Sequence, residues 1–353
     1  MPDLDMNVDQ RVQDSETIER YRSLLEERVR DVVPRRSGPL LLAPPHHLNV
    51  GDSAIWAAQG ALLRSMGERS ISSDTRDVYE EDFIGSHAGH PILLSGGGDI
   101  GDVWPRSQAF RERIIADFPD RTIVQLPQSV HFGSESALQA AGAVFEGHPD
   151  LVLMVRDRQS LALVRERFAV PAVLCPDMAF ALGPLRRPRP PITDIVWLGR
   201  SDVEARHAPH VSLGEDAIRF DWVTTTLLDP DHRPRLGVTH RVNRRAWRYA
   251  RRHPRARRMF RGFLSGRSHA LAREHLRRGC DLLAAGRVAI TDRLHGHILC
   301  VLMGIPHVVL DNSYGKVRSF YETWTSGFSC AHWADSPQEA LDLARELVRG
   351  EAG

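Results

Sequence analysis

Arginine, histidine and aspartate recur in this sequence at one kind of place, the polar residues that follow short apolar runs. The fullest case is Thr291-Asp292-Arg293-Leu294-His295. A β-branched run at 288–290 stops at Thr291 and Asp292, two residue types that favour helix N-caps. Leu294, Ile298, Val301 and Leu302 then fall at helical spacing until Gly304-Ile305-Pro306. Arg293 and His295 therefore stand on the first turn of a helix, at a strand end where open α/β sheets bind ligands. A helix start is partly positive and offers unpaired N–H groups, so it attracts anions. An arginine that cannot lose its proton makes a phosphate or carboxylate the natural occupant, and His295 can move a proton beside it near neutral pH. The plainer alternative is a surface Asp292–Arg293 pair with His295 hydrogen-bonded in the core.

The same placing repeats along the chain. Asn49-Val50-Gly51-Asp52 lies between an apolar run at 40–42 and a helical pattern carried by Ile55, Gln59, Leu62 and Leu63. Asp52 or Ser53 is the expected cap of that helix, whereas Asn49 and Gly51 suit close approach of the backbone to a ligand. Ser95-Gly96-Gly97-Gly98-Asp99 closes the run at 91–95. Gly97 and Gly98 make a backbone nest, leave room for a bound group, or form a plain turn. Their spacing is neither the dinucleotide fingerprint nor a P-loop. Asp99 on such a loop can accept a proton or bind sugar hydroxyls. Runs at 122–126, 151–155 and 172–175 lead into Gln128, Arg156-Asp157 and Asp177, which implies a shared rim. An Arg156–Asp157 ion pair capping the next helix, from about 159 to 168, is the local alternative. Lys316, the only lysine of the chain, follows the strand ending at Asp311 and is either a further phosphate contact or a surface residue.

Alternating strands and helices are the elements able to hold such a rim. Residues 16–33 form a charged amphipathic helix, stopped by the proline- and glycine-bearing stretch 34–39. Four prolines among the arginines of 183–192 exclude helix and central strand, so this stretch is the linker. A second series follows, with strands near 194–198, 288–290 and 307–310. The expected organisation is an N-terminal helix (1–36), an N-terminal α/β domain (37–183), a proline-rich linker (184–192) and a C-terminal α/β domain (193–353) with an arginine-rich insertion near 233–278. The expected fold class is α/β, two Rossmann-like α/β domains in a GT-B-like arrangement with a central cleft.

Composition sets the bounds. At 353 residues the chain exceeds one ordinary core, and 42% apolar with 26% charged residues is the balance of a soluble globular protein. The net charge of +1 gives no global case for nucleic acid or membrane. The four cysteines are scattered without a C-x-x-C pair, so no metal site is expected. The acidic opening M-P-D-L-D-M-N lacks an apolar core and no run is long enough to span a bilayer, so a cytoplasmic place is expected. One stretch breaks the even balance: residues 241–261 hold ten arginines and no acid, with Trp247, Tyr249, Met259 and Phe260 interleaved. With those ten set aside from the 46 basic residues, acids outnumber bases. A solvated helical insertion accounts for this, and so does peripheral contact with an anionic membrane at its inner face. Nucleic acid is not expected, since no recognised binding motif is present.

Five motifs in order carry a resemblance: N-V-G-D at 49–52, S-G-G-G-D at 95–99, V-R-D-R-Q-S at 155–160, C-P-D at 175–177 and T-D-R-L-H-G-H at 291–297. The chain resembles the polysaccharide pyruvyl transferase family from about 49 to 324, least between about 200 and 282. The resemblance implies a GT-B-like fold and transfer of pyruvate from phosphoenolpyruvate onto two hydroxyls of a sugar, forming a cyclic ketal in exopolysaccharide or cell-wall glycan synthesis. It matches the family's acidic residue after the glycine run to Asp99, the arginine of its R-D motif to Arg156, and the arginine and histidine of its R-L-H motif to Arg293 and His295. On that reading the two arginines hold carboxylate and phosphate, His295 and Asp99 handle protons, and no cofactor or metal is needed. The acceptor is a sugar or a lipid-linked oligosaccharide. The alternatives are a nucleotide-sugar glycosyltransferase of the same fold, or a non-catalytic glycan-binding member.

Overall fold

The computed structural model describes residues 8–45, 49–73, 79, 81–206, 212–222, 242, 245, 246, 248–250 and 252–350. A charged first helix, α1 (Val8–Val32), leads into strand β1 (Leu40–Leu42), helix α2 (Val50–Ser65), strand β2 (Ile71–Ser73) and the short helix α3 (Glu81–Gly85). Next come strands β3 (Ile92–Leu94) and β4 (Gly97–Gly101), helix α4 (Pro105–Asp117), strand β5 (Ile123–His131) and helix α5 (Glu135–Glu146). Strand β6 (Leu151–Val155), helix α6 (Arg158–Arg167), strand β7 (Ala172–Leu174) and a 3-10 turn at Met178–Leu182 follow. The second half runs β8 (Thr193–Leu198), β9 (Ala217–Phe220), α7 (Pro254–Ala284), β10 (Gly286–Thr291), α8 (Leu294–Met303) and β11 (His307–Val309). It closes with α9 (Lys316–Phe320), a π-helical turn at Tyr321–Thr325, β12 (Ala331–Trp333) and α10 (Pro337–Arg349).

The strands form two sheets, ordered β2-β1-β3-β5-β6-β7 with β4 also on β5, and β12-β11-β10-β8-β9. All described pairings are parallel. Parallel strands are joined by helical crossovers that cover both faces, which is why β1, β3 and β6 read as unbroken apolar runs. This is the expected α/β class, two Rossmann-like sheets with helical layers.

Two expectations change at the glycine run. The structure continues the chain there as a strand instead of turning: β3 pairs with 123–125 of β5, and β4 picks up the same strand again from Gln128 to His131. Strand β5 does not stop at Leu126 either. Pro127, which has no N–H to give a ladder, sits where the register shifts between Gln125 and Gln128, so the strand passes through it as a bulge. Gly101, at φ +128°, lies so close to β5 that a Cβ would fall inside the His131 carbonyl.

Helix starts are corrected as well. The cap of α2 is Asn49, whose Oδ1 accepts the Gly51 N–H at 3.0 Å, because the helix already begins at Val50 and leaves Asp52 and Ser53 inside its first turn. The N-cap position of α8 is Arg293; Thr291 Oγ1 accepts the Arg293 N–H at 3.0 Å just ahead of it. The proline-rich stretch is pinned to the second half by Leu185 N–H on the Leu302 carbonyl (2.7 Å) and Ile192 N–H on that of Ala285 (2.8 Å).

Helices α2 and α7 bring the two sheets together. Trp56 of α2 lies 5.2 Å, centroid to centroid, from the His269 ring of α7. Further along, a Cβ at Gly279 would stand 2.2 Å from Val50 Cγ1. The carboxyl-terminal part of the expected insertion is therefore packed helix, not solvated: Arg278 is buried and donates to the Trp222 carbonyl at 2.6 Å. Helix α1 touches both cores, with Ile18 in the cluster of the second sheet and Leu25, Val29 and Val33 in that of the first. Among the described residues no helix is long and apolar enough to cross a membrane. Because α2 and α7 touch through a missing side chain, Gly279→Leu is expected to overpack the contact and cost about 1–3 kcal/mol. Urea unfolding followed by tryptophan fluorescence measures this; an unchanged midpoint would show that the helices are free to separate.

Candidate active site

The carboxyl ends of both sheets meet, and the candidate residues come from the segments that leave them. Strand β6 delivers Arg156, which is buried with its charge spoken for on two sides. Its Nε donates to Ser129 Oγ at 3.0 Å and its Nη1 to Asp177 Oδ2 at 2.6 Å. Asp177, reached from the end of β7 by way of Cys175 and Pro176, is fully buried and also accepts the Ala179 N–H at 2.8 Å. His295, on the first turn of α8, brings Nε2 to 3.4 Å from the same Asp177 oxygen, within ion-pair distance but without a hydrogen bond. Burial alone would raise the Asp177 carboxyl; His295 and Arg156 outweigh it and hold the group well below the usual carboxylate range.

The two glycine motifs place the backbone against these groups. A Cβ at Gly51 would stand 2.5 Å from His295 Nδ1, so the start of α2 closes directly onto the imidazole. A Cβ at Gly98 would stand 2.4 Å from Arg156 Nη2 and 3.5 Å from Lys316 Nζ. Strand β4 thus lies where a cation from each half converges. Asp99 follows, its Oδ1 accepting Arg111 Nη2 at 2.7 Å and Gln128 Nε2 at 2.9 Å. Asn49 and Asp52 bond to each other (Nδ2 to Oδ2, 3.0 Å), so their visible work is to shape the start of α2.

Lys316 is buried at the start of α9 and donates from Nζ to Glu204 Oε2. Burial pulls its ammonium down to about 8 against the opposing pull of Glu204, and the positive charges of Arg200 and Arg156 add to the fall. Glu204 also accepts the Trp104 indole N–H at 2.8 Å, a link from the first half to the second. Arg200 Nη2 lies 2.8 Å from the same Glu204 carboxylate and 3.0 Å from Asp202 Oδ2.

Arg293 sits apart from Arg156. Its Nη2 donates to Asp221 Oδ2 at 2.6 Å and lies 3.5 Å from Asp202 Oδ2, with Trp222 beneath its guanidinium at 5.8 Å. The cation placed with Arg156 at Gly98 is Lys316, and Arg293 joins it only through the chain Asp202–Arg200–Glu204. Burial pushes the neighbouring Asp292 up to about 6 in spite of Arg200 and Arg293. His297, the second histidine of the motif, is a core residue. Its Nδ1 lies 2.7 Å from His307 Nε2 and its Nε2 2.7 Å from Thr325 Oγ1.

The structure therefore brings together Gly51, Gly98, Arg156, His295 and Lys316, with Asp99 beside them, and leaves Arg293 at the far end of a relay of ion pairs through Asp202, Arg200 and Glu204. Asp177, Glu204, Arg200 and Trp104 are the additions. Asp177 was visible as the end of the rim; Glu204 follows β8 at the kind of strand end that marks the others. Among the described residues no group of three or more His, Cys, Asp or Glu side chains could hold a metal ion.

Parallel sheets whose carboxyl ends meet over buried arginines, a histidine and a lysine define an α/β protein with a cation-rich site between its sheets. The chain belongs to the polysaccharide pyruvyl transferase family, whose model matches residues 49–314. It is 30% identical to Pyruvyl transferase 1 of Schizosaccharomyces pombe, over 89% of this chain and 76% of that protein. It is 29% identical to a Bacillus subtilis protein named "Putative pyruvyl transferase EpsO", over 84% of this chain and 88% of the other. A crystal structure of an uncharacterized protein from Klebsiella pneumoniae shares the fold, with a TM-score of 0.56 at 14% identity, covering 90% of this chain and 99% of that one.

Asp177 is the common counter-charge of Arg156 and His295. Asp177→Asn is expected to leave Arg156 buried without its partner and to cost about 3–5 kcal/mol. Chemical denaturation of the variant above pH 5, where the native carboxylate is ionised, measures the loss; a cost below about 1 kcal/mol would be the surface-pair value and would remove Asp177 from this role.

Proposed function

We propose that the protein transfers pyruvate from phosphoenolpyruvate onto two hydroxyls of a sugar as a cyclic ketal. Family membership supports a pyruvyl transferase acting on a glycan. The observation that carries the donor is the convergence of Arg156 and Lys316 at Gly98, whose missing side chain lets the two cations come up to the same backbone from the two halves. A small dianion suits a place beside those two cations: Arg156 offers Nη2, the arm that its bonds to Ser129 and Asp177 do not use, and Lys316 adds a point charge. Arg293 stands ready at the helix start to take the donor's second anionic group in exchange for Asp221.

The chemistry divides between His295 and Asp99. A sugar hydroxyl adds to the central carbon of phosphoenolpyruvate while the methylene carbon gains a proton, and the hydroxyl proton leaves to a base. His295 supplies the first proton and Asp99 receives the second. The other hydroxyl then bonds to the same carbon as the bond from that carbon to the phosphate oxygen breaks; its proton passes to His295, neutral after the first step, and Asp99 returns the first hydroxyl's proton to the departing phosphate, closing the ketal. Arg156 and Lys316 stabilise charge on the departing phosphate, while Arg293 keeps the carboxylate. His295 carries out its part with Asp177 charged behind it, 3.4 Å from Nε2, which orients the ring. No cofactor enters this scheme. The acceptor is a sugar or a lipid-linked oligosaccharide, and the working place is the cytoplasm, at the inner face of the membrane.

Phosphoenolpyruvate is expected to raise the melting temperature, since a ligand selective for the native state stabilises it. With a panel of sugars the protein is expected to release phosphate. His295→Ala should lower that release by about 100- to 10,000-fold while the thermal shift by phosphoenolpyruvate persists. Stabilisation by a nucleotide sugar and not by phosphoenolpyruvate would overturn the reading in favour of a glycosyltransferase.

The pH dependence has a definite sign. Lys316, lowered to about 8, is cationic below that pH and neutral above it. Affinity for phosphoenolpyruvate is expected to be full below pH 7 and to weaken as pH rises through about 8, and Lys316→Met should erase that step. A flat affinity from pH 7 to 9 in the wild-type protein would detach Lys316 from the donor.

A further inference from the structure

The amino-terminal half of α7 is a surface element that the proposed chemistry leaves unused. Its carboxyl-terminal half is buried through Ser268, Leu271, Ala272, His275 and Arg278. Upstream the same helix bares its apolar side chains: Met259 is 72% exposed, Phe260 49% and Phe263 59%. At 3.6 residues per turn these three fall within an arc of about 100°, so they form one face. Cβ atoms at Gly262 and Gly266 would meet nothing within 4 Å, so the surface around that face is open. Arg267 spreads over the Phe263 ring at 5.6 Å, placing a cation at the edge of the patch. Tyr249, 58% exposed and stacked near His253, adds a second aromatic just upstream.

Charge singles out what would cover this face. Residues 232–273 contain fourteen arginines and no acid, in a chain whose net charge is only +1. Of these, Arg245, Arg248, Arg252 and Arg255 are described and exposed; the rest of the expected segment at 241–261 lies partly outside the described residues. We infer that this helix end docks on an anionic lipid bilayer, with Met259, Phe260 and Phe263 entering the headgroup–acyl boundary and Arg245, Arg248, Arg252 and Arg255 meeting the headgroup phosphates. Apolar tips ringed by cations are the makeup of interfacial helices. A nucleic-acid backbone would use the arginines and leave three large apolar tips in water. The role assigned to the docking, bringing the site to a lipid-linked acceptor, rests on the proposed function; the docking itself does not.

The test floats the full-length protein with vesicles of phosphatidylcholine alone and of phosphatidylcholine mixed with phosphatidylglycerol. Binding is expected to the anionic vesicles only, weakening as salt rises. The triple variant Met259→Ser, Phe260→Ser, Phe263→Ser changes exposed residues, so its circular dichroism should match the wild type, and its partition onto anionic vesicles should fall about tenfold or more. Equal binding to neutral vesicles, absence of binding, wild-type partition of the triple variant, or tighter retention by duplex DNA than by vesicles would each overturn the inference. The thermal shift by phosphoenolpyruvate is read on the same samples. Loss of vesicle binding with that shift intact refutes the docking alone; vesicle binding without the shift refutes the donor assignment alone.

Discussion

One fully buried carboxylate holds this molecule's working surfaces in register. Asp177 leaves the last strand of the first sheet and meets Arg156 from the strand beside it and His295 from the second sheet. An isolated buried carboxylate is expensive, so its ionised state depends on both partners being where they are. The reverse also holds. Arg156 and His295 are fixed relative to one another because they answer to the same oxygen, and every other feature of the site is arranged around that pair.

Cations elsewhere in the site follow the same rule, each meeting a carboxylate of the protein itself. Lys316 has Glu204, Arg200 has Asp202 and Glu204, Arg293 has Asp221 and Asp202, and Asp99 has Arg111. Positive charge can thus be gathered densely in a dry place without the repulsion that would otherwise drive it apart. Burial still leaves its mark on Lys316, whose proton is held less firmly than in water. An anionic ligand at Gly98 would meet a field already half balanced, and would have to compete with those carboxylates for their partners.

How much of this was legible in the sequence follows from where the information lies. Strands β1, β3 and β6 were readable because both faces of a parallel sheet are covered, so their residues run apolar without a break. Strands β2, β9 and β12 were not: Ile71-Ser72-Ser73 and Ala217-Ile218-Arg219-Phe220 are too short and too polar to stand out from a loop. Strand β4 was hidden for a different reason, since three glycines read locally as a turn and only pairing with β5 makes them a strand. The polar strand ends were legible as a rim: Arg156 and Asp177 follow the ends of β6 and β7, while Asp99 stands inside β4 and not at a strand end. Which cation each acid chooses was not legible. Arg293 and Asp221 are 72 residues apart, and nothing in either segment announces the other.

The first helix has a consequence for how the two sheets can move. Ile18 of α1 is sunk in the core of one sheet and Leu25, Val29 and Val33 in the core of the other, so a single rigid rod lies across both like a splint. The Tyr21 hydroxyl donates to the Trp324 carbonyl at 2.6 Å, and the Trp324 indole in turn donates to the Arg156 carbonyl at 2.9 Å. Swinging the halves apart about the proline-rich stretch would tear hydrocarbon from one end of that rod and loosen the peptide that carries Arg156. Room for a bulky acceptor must therefore be made by shifts of loops at the strand ends, with the frame itself standing still.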